Sequence, residues 1–227
     1  MIQNKRYELK YVYDGIMKSQ VLMEIKKHPQ MLHEIYAERT VYNIYLDTED
    51  FSNYHDNLLG AKERVKHRIS WYNDPTEAKS PVLEYKCKDD KLGWKHIYQL
   101  PDFRLDHTFN WDQYVEIIRN MIPVEDQHII GELISQVPIL HNYYNRRYFM
   151  TPDGRFRVTV DWNLNYGNMG KTYKPTRHIK DDKVVLEVKF DESYAVDAHL
   201  VTGSISGRMC ANSKYVTGVE YTYFYSL

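Results

Sequence analysis

The sequence has few of the features that mark secreted and membrane-spanning proteins. It contains two cysteines, Cys87 and Cys210, which are too few for a disulfide scaffold and fit a reducing compartment. No run approaches about 18 consecutive apolar residues, and the charged start MIQNKRYELKY is unlike a signal peptide. We therefore expect a soluble, cytoplasmic protein with no membrane insertion of its own.

The sequence also has no excess of charge of either sign. Its 30 Lys and Arg residues balance 31 Asp and Glu residues, so no overall field would attract nucleic acid or an anionic membrane. The ten histidines show no zinc-protease spacing, and P-loop spacing is absent. We expect no nucleic-acid partner, and any preference for an anion must be local.

What is present is a series of alternating segments rich in Tyr, Val and Ile, which is typical of β-strands. Turn-like stretches such as Asn73-Asp74-Pro75 separate them. The predicted strands, eight or nine in number, are Lys5–Tyr13, Arg39–Asp47, Lys62–Tyr72, Pro81–Lys88, Trp94–Leu100, Leu140–Met150, Arg155–Leu164, Lys183–Phe190 and, as the ninth, Tyr215–Tyr225.

Helical periodicity appears between these strands. The predicted helices are Gly15–Lys27, Thr48–Leu58, Trp111–Met121 and Asp126–Val137. No repeat, low-complexity tract or linker divides the chain, so we expect one α+β domain over residues 1–227, with the helices covering a sheet.

The segment VLEYKCK, residues 82–88, has one charged face and one apolar face. Glu84, Lys86 and Lys88 alternate with apolar neighbours such as Leu83 and Tyr85, as successive strand side chains point to opposite faces. Charged rows occur in five predicted strands. Their basic members are Arg6, Lys10, Arg64, Lys66, Arg68, Lys86, Lys88, Arg155, Arg157 and Lys189, and their acidic members are Glu8, Glu84, Asp161 and Glu187.

Two interpretations fit such rows. An antiparallel sheet with one solvated face shows the same alternation in any single strand. However, a solvated face gains little from an excess of cations, since like charges on neighbouring strands destabilise the pairing. If helices cover the apolar face, the sheet can instead close into a barrel of about eight strands with a polar, basic interior.

A basic interior needs a counter-charge, because burying unpaired cations costs several kcal/mol each. A linear polyanion meets that need, since Arg offers a planar fork for phosphate and Lys a mobile point charge. The carboxylates would repel phosphate unless a hard divalent cation joined carboxylate and phosphate oxygens.

Several short segments recur in the order and spacing of a known family. They are Arg6-Tyr7-Glu8-Leu9-Lys10-Tyr11, VYNIYLDTED at 41–50, residues 60–72, LEYKCK, Tyr144-Asn145-Arg146, FRVTVDWNL at 156–164, Leu186-Glu187-Val188-Lys189 and Ser213-Lys214-Tyr215. Together they resemble the VTC domain, the polyphosphate polymerase domain of the vacuolar transporter chaperone complex. That domain lies in the triphosphate tunnel superfamily, which includes the CYTH proteins.

The resemblance implies an eight-stranded antiparallel barrel that forms a basic tunnel. It also implies Mn²⁺ or Mg²⁺ on Glu187, to which our hypothesis adds Glu84 and Glu8, and transfer of the ATP γ-phosphate to a growing polyphosphate chain. The predicted catalytic residues are Lys10, Arg64, Arg68, Lys86, Arg157 and Glu187. The predicted phosphate-binding residues are Arg6, Lys66, Lys88, Tyr144, Arg146, Lys189, Ser213 and Lys214.

One position departs from the family pattern. Relatives with polymerase activity carry a further lysine three positions before Lys214, where this chain has Ala211. Three functions therefore stay open: a metal-dependent polyphosphate polymerase, which we favour, a metal-dependent hydrolase of tripolyphosphate or nucleoside triphosphates, and a non-catalytic polyphosphate-binding module. The expected ligands are ATP and inorganic polyphosphate, and coupling to translocation would require a membrane-protein partner.

Overall fold

The alternating segments form β-strands in the computed structural model, which describes residues 5–89, 92–169 and 175–225. Eight of these strands are long enough to build a large sheet, and four are short. The strands are β1 (Arg6–Tyr13), β2 (His33–Asp47), β3 (Glu63–Tyr72), β4 (Glu77–Ala78), β5 (Val82–Asp89), β6 (Leu92–Gln99), β7 (Phe103–Arg104), β8 (Val137–Met150), β9 (Phe156–Asn168), β10 (Ile179–Asp181), β11 (Val184–Asp191) and β12 (Arg208–Met209).

Six α-helices lie between or after the strands in the described part of the chain. They are α1 (Lys18–Lys26), α2 (Ser52–Leu58), α3 (Trp111–Met121), α4 (Gln127–Ile134), α5 (Ala198–Thr202) and α6 (Lys214–Val219). Short 3₁₀ segments cover Val124–Asp126 and Glu192–Asp197, and a π-helical turn covers Glu220–Phe224. None of these helices is long and apolar enough to cross a membrane.

The eight long strands form one antiparallel sheet that closes on itself as a ring. Their order is β9-β11-β1-β6-β5-β3-β2-β8, and β8 pairs back onto β9. The register joins distant parts of the chain, because β1 pairs with β11 over its whole length from Arg6–Asp191 to Tyr13–Val184. The predicted α+β fold with an eight-stranded antiparallel sheet is therefore confirmed.

Helices cover the apolar rows on the outside of the ring. The outward side chains of β2, β3, β5 and β6 pack against α3 and α4 around Ile69, Leu83 and Ile118. Those of β1, β9 and β11 pack against α1 and α5 around Val21, Val158 and Leu186. Since the outer face is the hydrophobic one, the charged rows are left on the inner face of the ring.

Helix α6 packs against the apolar end of the inner face. Tyr215 stacks on Tyr45 of β2 with ring centroids 5.2 Å apart, and Val219 lies in the same buried cluster. The prediction of a ninth strand over Tyr215–Tyr225 is therefore wrong. The alternating tyrosines suggested a strand, but the residues four apart, Tyr215 and Val219, are the ones that find a buried surface.

A β-bulge in β9 prepares the surface on which α6 packs. Asn163 and Leu164 together stand opposite one residue of β8, and Asn163 has a φ of 54°. An extra residue on one strand reverses which side chains face inward. Asp161 before the bulge and Leu164 and Tyr166 after it consequently share the inner face, which changes from charged to apolar.

The buried carboxylate of Asp47 ties α2 to α6. Its oxygens accept hydrogen bonds from the backbone N–H groups of Asn53 and Tyr54, at 2.9 and 3.0 Å, and from the hydroxyl of Tyr215. An acidic side chain stabilises the start of a helix when it accepts hydrogen bonds from the first N–H groups, which have no partner within the helix. The same residue therefore fixes the position of the segment that carries Lys214.

Gly218 allows the close approach of α6 to the ring. A Cβ atom at this position would overlap Leu140 and lie 2.7 Å from Tyr166, whereas a Cβ at Gly131 in α4 would meet nothing within 4 Å. We expect Gly218→Ala to lower the free energy of unfolding by about 1–3 kcal/mol through overpacking. Gly131→Ala, the matched control, should be neutral or stabilising by up to about 1 kcal/mol. Urea denaturation measures both, and equal stabilities for the two variants would contradict this placement of α6.

Candidate functional site

Every strand of the ring brings at least one cation to its inner face. Residues that stand opposite each other on paired strands point to the same side of a sheet, so the register assigns the face. The cations on the inner face are Arg6 and Lys10 on β1, Arg39 on β2, Arg64, Lys66 and Arg68 on β3, Lys86 and Lys88 on β5, Lys95 on β6, Arg146 on β8, Arg157 on β9 and Lys189 on β11.

Contacts across the ring show that this face is enclosed rather than an outer wall. The segment just before and at the start of α6 is reached from three strands that are not neighbours. Lys10 Nζ on β1 donates to the Asn212 carbonyl at 2.8 Å, and Lys66 Nζ on β3 donates to Ser213 Oγ at 2.8 Å. Lys214 Nζ donates to Asp161 Oδ2 on β9 at 2.6 Å. The side chains of β1, β3 and β9 therefore converge on a common interior.

Four carboxylates on the inner face balance part of the positive charge, in three clusters.

The first cluster surrounds Glu84 on β5. Its oxygens accept from Arg68 and from Lys95, the latter at 2.5 Å, and Lys86 Nζ lies 3.7 Å away. Burial alone would raise the pKa of Glu84, but these three cations outweigh it and hold the pKa well below its usual range. Glu84 is therefore an anion surrounded by cations.

The second cluster joins β1 and β11. Lys10 Nζ lies 2.9 Å from Glu8 Oε1 and 3.7 Å from Glu187 Oε2, and Lys189 contacts both of the same carboxylates. Burial would raise the pKa of Glu8, but Lys10 and Lys189 outweigh burial and leave the pKa well below its usual range. Two carboxylates thus face the same two ammonium groups, and both are ionised.

The third cluster joins β8, β9 and α6 around Asp161. Arg146 Nε and Nη2 donate to the two oxygens of Asp161 at 2.6 and 2.7 Å, in the bidentate geometry that suits a guanidinium. Asp161 also accepts from Lys214 and is fully buried. The Arg146 guanidinium lies 5.0 Å from the ring of Tyr144, which is buried beside it. Asp161 therefore orients two of the predicted phosphate-binding cations.

The carboxylates compensate some of these cations only in part. Burial and the nearby Arg68 together lower the pKa of Lys86 to about 7, against the opposing effect of Glu84. Burial also lowers the pKa of Lys66 well below its usual range, with Lys10 and Lys86 as nearby like charges. An anion placed between these groups would favour their charged forms.

The interior is open to water. The side chains of Glu8 and Lys86 are 33% and 34% exposed, whereas that of Glu187 is 5% exposed. Charged groups that lie deep among protein atoms but still touch solvent fit a hydrated tunnel. Arg157 is exposed near the start of β9, so it stands at a mouth of this tunnel.

The structure brings together most of the predicted site residues. Arg6, Lys88 and Arg64 lie on the inner face near the ends of their strands, and Arg64 donates to the Ala61 carbonyl at 2.5 Å. Arg155, which the sequence placed in a charged row, precedes β9. It pairs with Asp153 and Asp197 outside the tunnel, so the row ends at Arg157.

Two inner cations escaped the sequence analysis. Lys95 bonds Glu84, and Arg39 stands opposite Arg146. Each is the one basic member of its row, since Lys95 is followed on that face by Ile97 and Gln99, and Arg39 by Val41, Asn43, Tyr45 and Asp47. The buried partners His96 and Tyr98 alternate with it, and that period of two could have identified it.

The described residues contain no group of three or more His, Cys, Asp or Glu side chains arranged to hold a metal. Glu8 and Glu187 nevertheless lie on paired strands and share the cations Lys10 and Lys189. Two carboxylates completed by phosphate oxygens are a donor set that suits Mg²⁺, which keeps few protein ligands when it binds phosphate. These two residues fit such an ion, whereas the ligand role of Glu84 remains a prediction, because cations occupy both of its oxygens.

The sequence is similar to a family of proteins along almost its whole length. A family model described as the VTC domain matches residues 5–223. No curated protein matches the sequence.

Solved structures with the same fold have very different sequences. A protein from Hippeastrum described as a candidate adenylyl cyclase with a dominant triphosphatase activity is 13% identical, with a TM-score of 0.53 over 95% of this chain and 94% of that one. A candidate adenylate cyclase from Vibrio parahaemolyticus is 11% identical, with a TM-score of 0.51 over 95% and 99%. A protein from Pyrococcus horikoshii is 12% identical, with a TM-score of 0.50 over 95% and 98%.

The Asp161 cluster gives a stability prediction. Asp161→Asn keeps the shape of the side chain but leaves Arg146 and Lys214 buried without their carboxylate, which costs about 3–5 kcal/mol of unfolding free energy. Asp182→Asn is the matched control, because Asp182 is exposed and pairs with Lys180 alone, and it should change stability by less than about 0.5 kcal/mol. Guanidinium denaturation at pH 7 compares the two variants.

The difference in unfolding free energy between the wild type and Asp161→Asn should depend on pH. Burial raises the pKa of Asp161, but Arg146 and Lys214 outweigh it, so the folded-state pKa lies below the ordinary value of 3.8. The carboxylate stabilises the fold above the ordinary pKa and loses this effect as pH falls through the folded-state pKa. The difference in unfolding free energy between wild type and Asp161→Asn should therefore become smaller below about pH 4. Equal unfolding free energies of the wild type and Asp161→Asn at pH 7 would contradict the structural role of Asp161.

Proposed function

The chain belongs to the VTC domain family, and from this premise we propose that it is a polyphosphate polymerase that uses ATP. The observation that carries the proposal is the convergence of cations from all eight ring strands on one hydrated interior. A closed basic tunnel selects a ligand that is both anionic and linear. Inorganic polyphosphate and the triphosphate of ATP have this shape, and both present a charge at every phosphate.

The cations divide into two roles in this proposal. Arg68, Lys86 and Lys66 face the interior without enough carboxylate to neutralise them, and they would neutralise the oxygens of the transferred phosphoryl group. Lys10 and Lys214 would hold the attacking or leaving chain. Phosphoryl transfer needs in-line positioning and charge stabilisation more than covalent help, which is what fixed cations supply.

The neutral donors complete the proposed site. The hydroxyl of Ser213 contacts Lys66, and the ring of Tyr144 lies 4.7 Å from Lys214 Nζ. Both residues can donate a hydrogen bond to a phosphate oxygen without adding charge. Arg6, Arg64, Lys88, Arg157 and Lys189 extend the phosphate path toward the ends of the strands.

A divalent cation is part of the proposal, with Glu187 and Glu8 as the residues that would hold Mn²⁺ or Mg²⁺. Such an ion would supply neutralisation of phosphate charge at the point where the carboxylates would otherwise repel it. The lysines that contact both carboxylates are mobile point charges, so they can move from the carboxylates to phosphate oxygens. Glu187 is the better-defined ligand, since it is almost fully buried.

A triphosphate hydrolase is the second candidate. Two observations favour it: the triphosphatase activity named for the Hippeastrum protein of the same fold, and Ala211 in place of a family lysine. Water would replace the polyphosphate end as the nucleophile, oriented by a carboxylate such as Glu8. The same tunnel residues would bind the substrate, so the product distinguishes the two functions.

The test is incubation of the pure protein with ATP and Mn²⁺, followed by gel analysis for polymer and an assay for free phosphate. We expect long polyphosphate together with ADP, and loss of turnover in Glu187→Gln and on chelation of the metal. Glu192→Gln, outside the tunnel, serves as the matched control. Free phosphate without polymer would replace the polymerase by the hydrolase, and binding of polyphosphate without any turnover would leave a binding module.

The low pKa of Lys86 predicts the pH dependence of anion binding. Above pH 7 the free protein holds this side chain neutral, because burial and Arg68 lower its pKa to about 7. A bound polyanion raises the pKa, so binding takes up protons and weakens as pH rises from 7 toward 9.

Calorimetric titration with tripolyphosphate in buffers of different ionisation enthalpy measures this proton uptake. Lys86→Met should bind more weakly at pH 7 and should lose part of the uptake at pH 8. Lys180→Met, an exposed lysine on β10, is the control and should leave both quantities unchanged. Proton release on binding would contradict the prediction.

A further inference from the structure

At the low-numbered end of β2, one guanidinium lies among three tyrosine rings. The Arg39 Cζ atom is 4.9 Å from the ring centroid of Tyr36, 5.2 Å from that of Tyr72 and 5.9 Å from that of Tyr148. Tyr36 and Tyr148 meet edge to face with centroids 5.6 Å apart. These four residues, from β2, β3 and β8, form a cluster that we call the aromatic mouth.

The register makes the aromatic mouth continuous with the tunnel. Arg39 stands opposite Arg146, and Tyr36 stands opposite Tyr148. Arg146 is the residue that Asp161 orients, and its guanidinium also lies 5.7 Å from the Tyr148 ring. A ligand with a phosphate near Arg146 would therefore lie directly beside Arg39 and within reach of the tyrosine rings around it.

Two features of the aromatic mouth indicate that it is a binding surface. Tyr36 and Tyr72 are large rings that are 52% and 46% exposed. Within residues 5–89, 92–169 and 175–225, Arg39 has no carboxylate at ion-pair distance, whereas its neighbour on β8, Arg147, pairs with Glu34 at 3.0 Å. An unpaired guanidinium beside exposed rings offers flat surfaces and one positive charge.

Exposed tyrosine ring faces recognise a planar group rather than a phosphate. Nucleobases stack on tyrosine rings and on guanidinium planes, and this stacking tolerates different bases because every base has a π-face. Polyphosphate has no planar group and would gain nothing from the exposed ring faces of Tyr36 and Tyr72. The chemistry of the aromatic mouth therefore differs from that of the tunnel interior.

We propose that Tyr36, Arg39 and Tyr72 bind the base of a nucleoside triphosphate whose phosphates extend past Arg146 into the tunnel. This inference rests on the proposed function, because the tunnel must hold the triphosphate for the base to reach the aromatic mouth. It adds that the nucleotide enters with a defined orientation, triphosphate first. It also gives the protein a means of distinguishing a nucleotide from inorganic tripolyphosphate.

The test compares two ligands that differ by the nucleoside. Calorimetry gives the dissociation constants of ATP and of inorganic tripolyphosphate for the wild type, Tyr72→Leu and the double variant Tyr36→Leu/Tyr72→Leu, at one Mg²⁺ concentration. We expect the leucine variants to bind ATP about 5- to 150-fold more weakly, the range for loss of stacking on one base. Their affinity for tripolyphosphate should change by less than about twofold, since the phosphate-binding cations are intact.

Two controls separate stacking from damage to the fold. Tyr72→Phe keeps the ring and should retain ATP binding, while Tyr225→Leu removes an exposed tyrosine at the far end of the chain and should change neither affinity. Unchanged tripolyphosphate binding by the leucine variants is itself evidence that the tunnel is folded.

The outcomes distinguish this inference from the function on which it rests. If the leucine variants lose ATP and tripolyphosphate equally, or lose neither, the base site is overturned while the tunnel function stands. If the wild type binds neither ligand, the proposed function is overturned and the base site with it. A selective loss of ATP supports the base site.

Discussion

Electrostatic compensation inside a closed ring is the constraint on which the rest of this structure depends. Ring closure brings cations from eight strands together, and their mutual repulsion and burial would destabilise the fold if nothing opposed them. Glu8, Glu84, Asp161 and Glu187 oppose part of it, each bonded to at least two cations. Hydration of the interior reduces the repulsion that is left, and the lowered pKa values of Lys66 and Lys86 allow these two side chains to lose their charge. The interior of the free protein therefore carries more positive than negative groups, and a bound anion would neutralise the excess.

Burial of the apolar side of the same strands offsets the free-energy cost of placing charged side chains inside the ring. Helices α1, α3, α4 and α5 bury the outward rows, so the hydrophobic effect acts on the outer face while the inner face stays wet. The bulge at Asn163 then exchanges charged for apolar side chains within one strand. That exchange lets α6 pack at one end of the tunnel and directs Lys214 toward Asp161.

Much of the fold and part of the site could be predicted from strand parity, because a period of two is a local property. The row Glu84, Lys86 and Lys88 is an example, and it does lie on the inner face. Parity did not reveal Lys95 or Arg39, since each is the one cation in its row. The segment Tyr215–Tyr225 has alternating tyrosines yet is helical, because its surroundings in the ring decide its conformation. Ser213 and Lys214 were predicted from family resemblance alone, and their partners depend on long-range contacts.

The pairing of β1 with β11 has a consequence for biosynthesis. Residues 6–13 leave the ribosome long before their partners at 184–191 and 208–209, because more than 150 residues separate them in the sequence. Strand β1 must therefore remain without its partners β11 and β12 while the intervening residues are made, although its contact with β6 at Arg6 and Gly93 can form earlier. Topologies with such distant pairings fold slowly and leave strand edges exposed in the meantime. Charged residues such as Arg6, Glu8 and Lys10 on that waiting strand disfavour pairing with other chains, so the side chains that later line the tunnel also protect the nascent protein from aggregation.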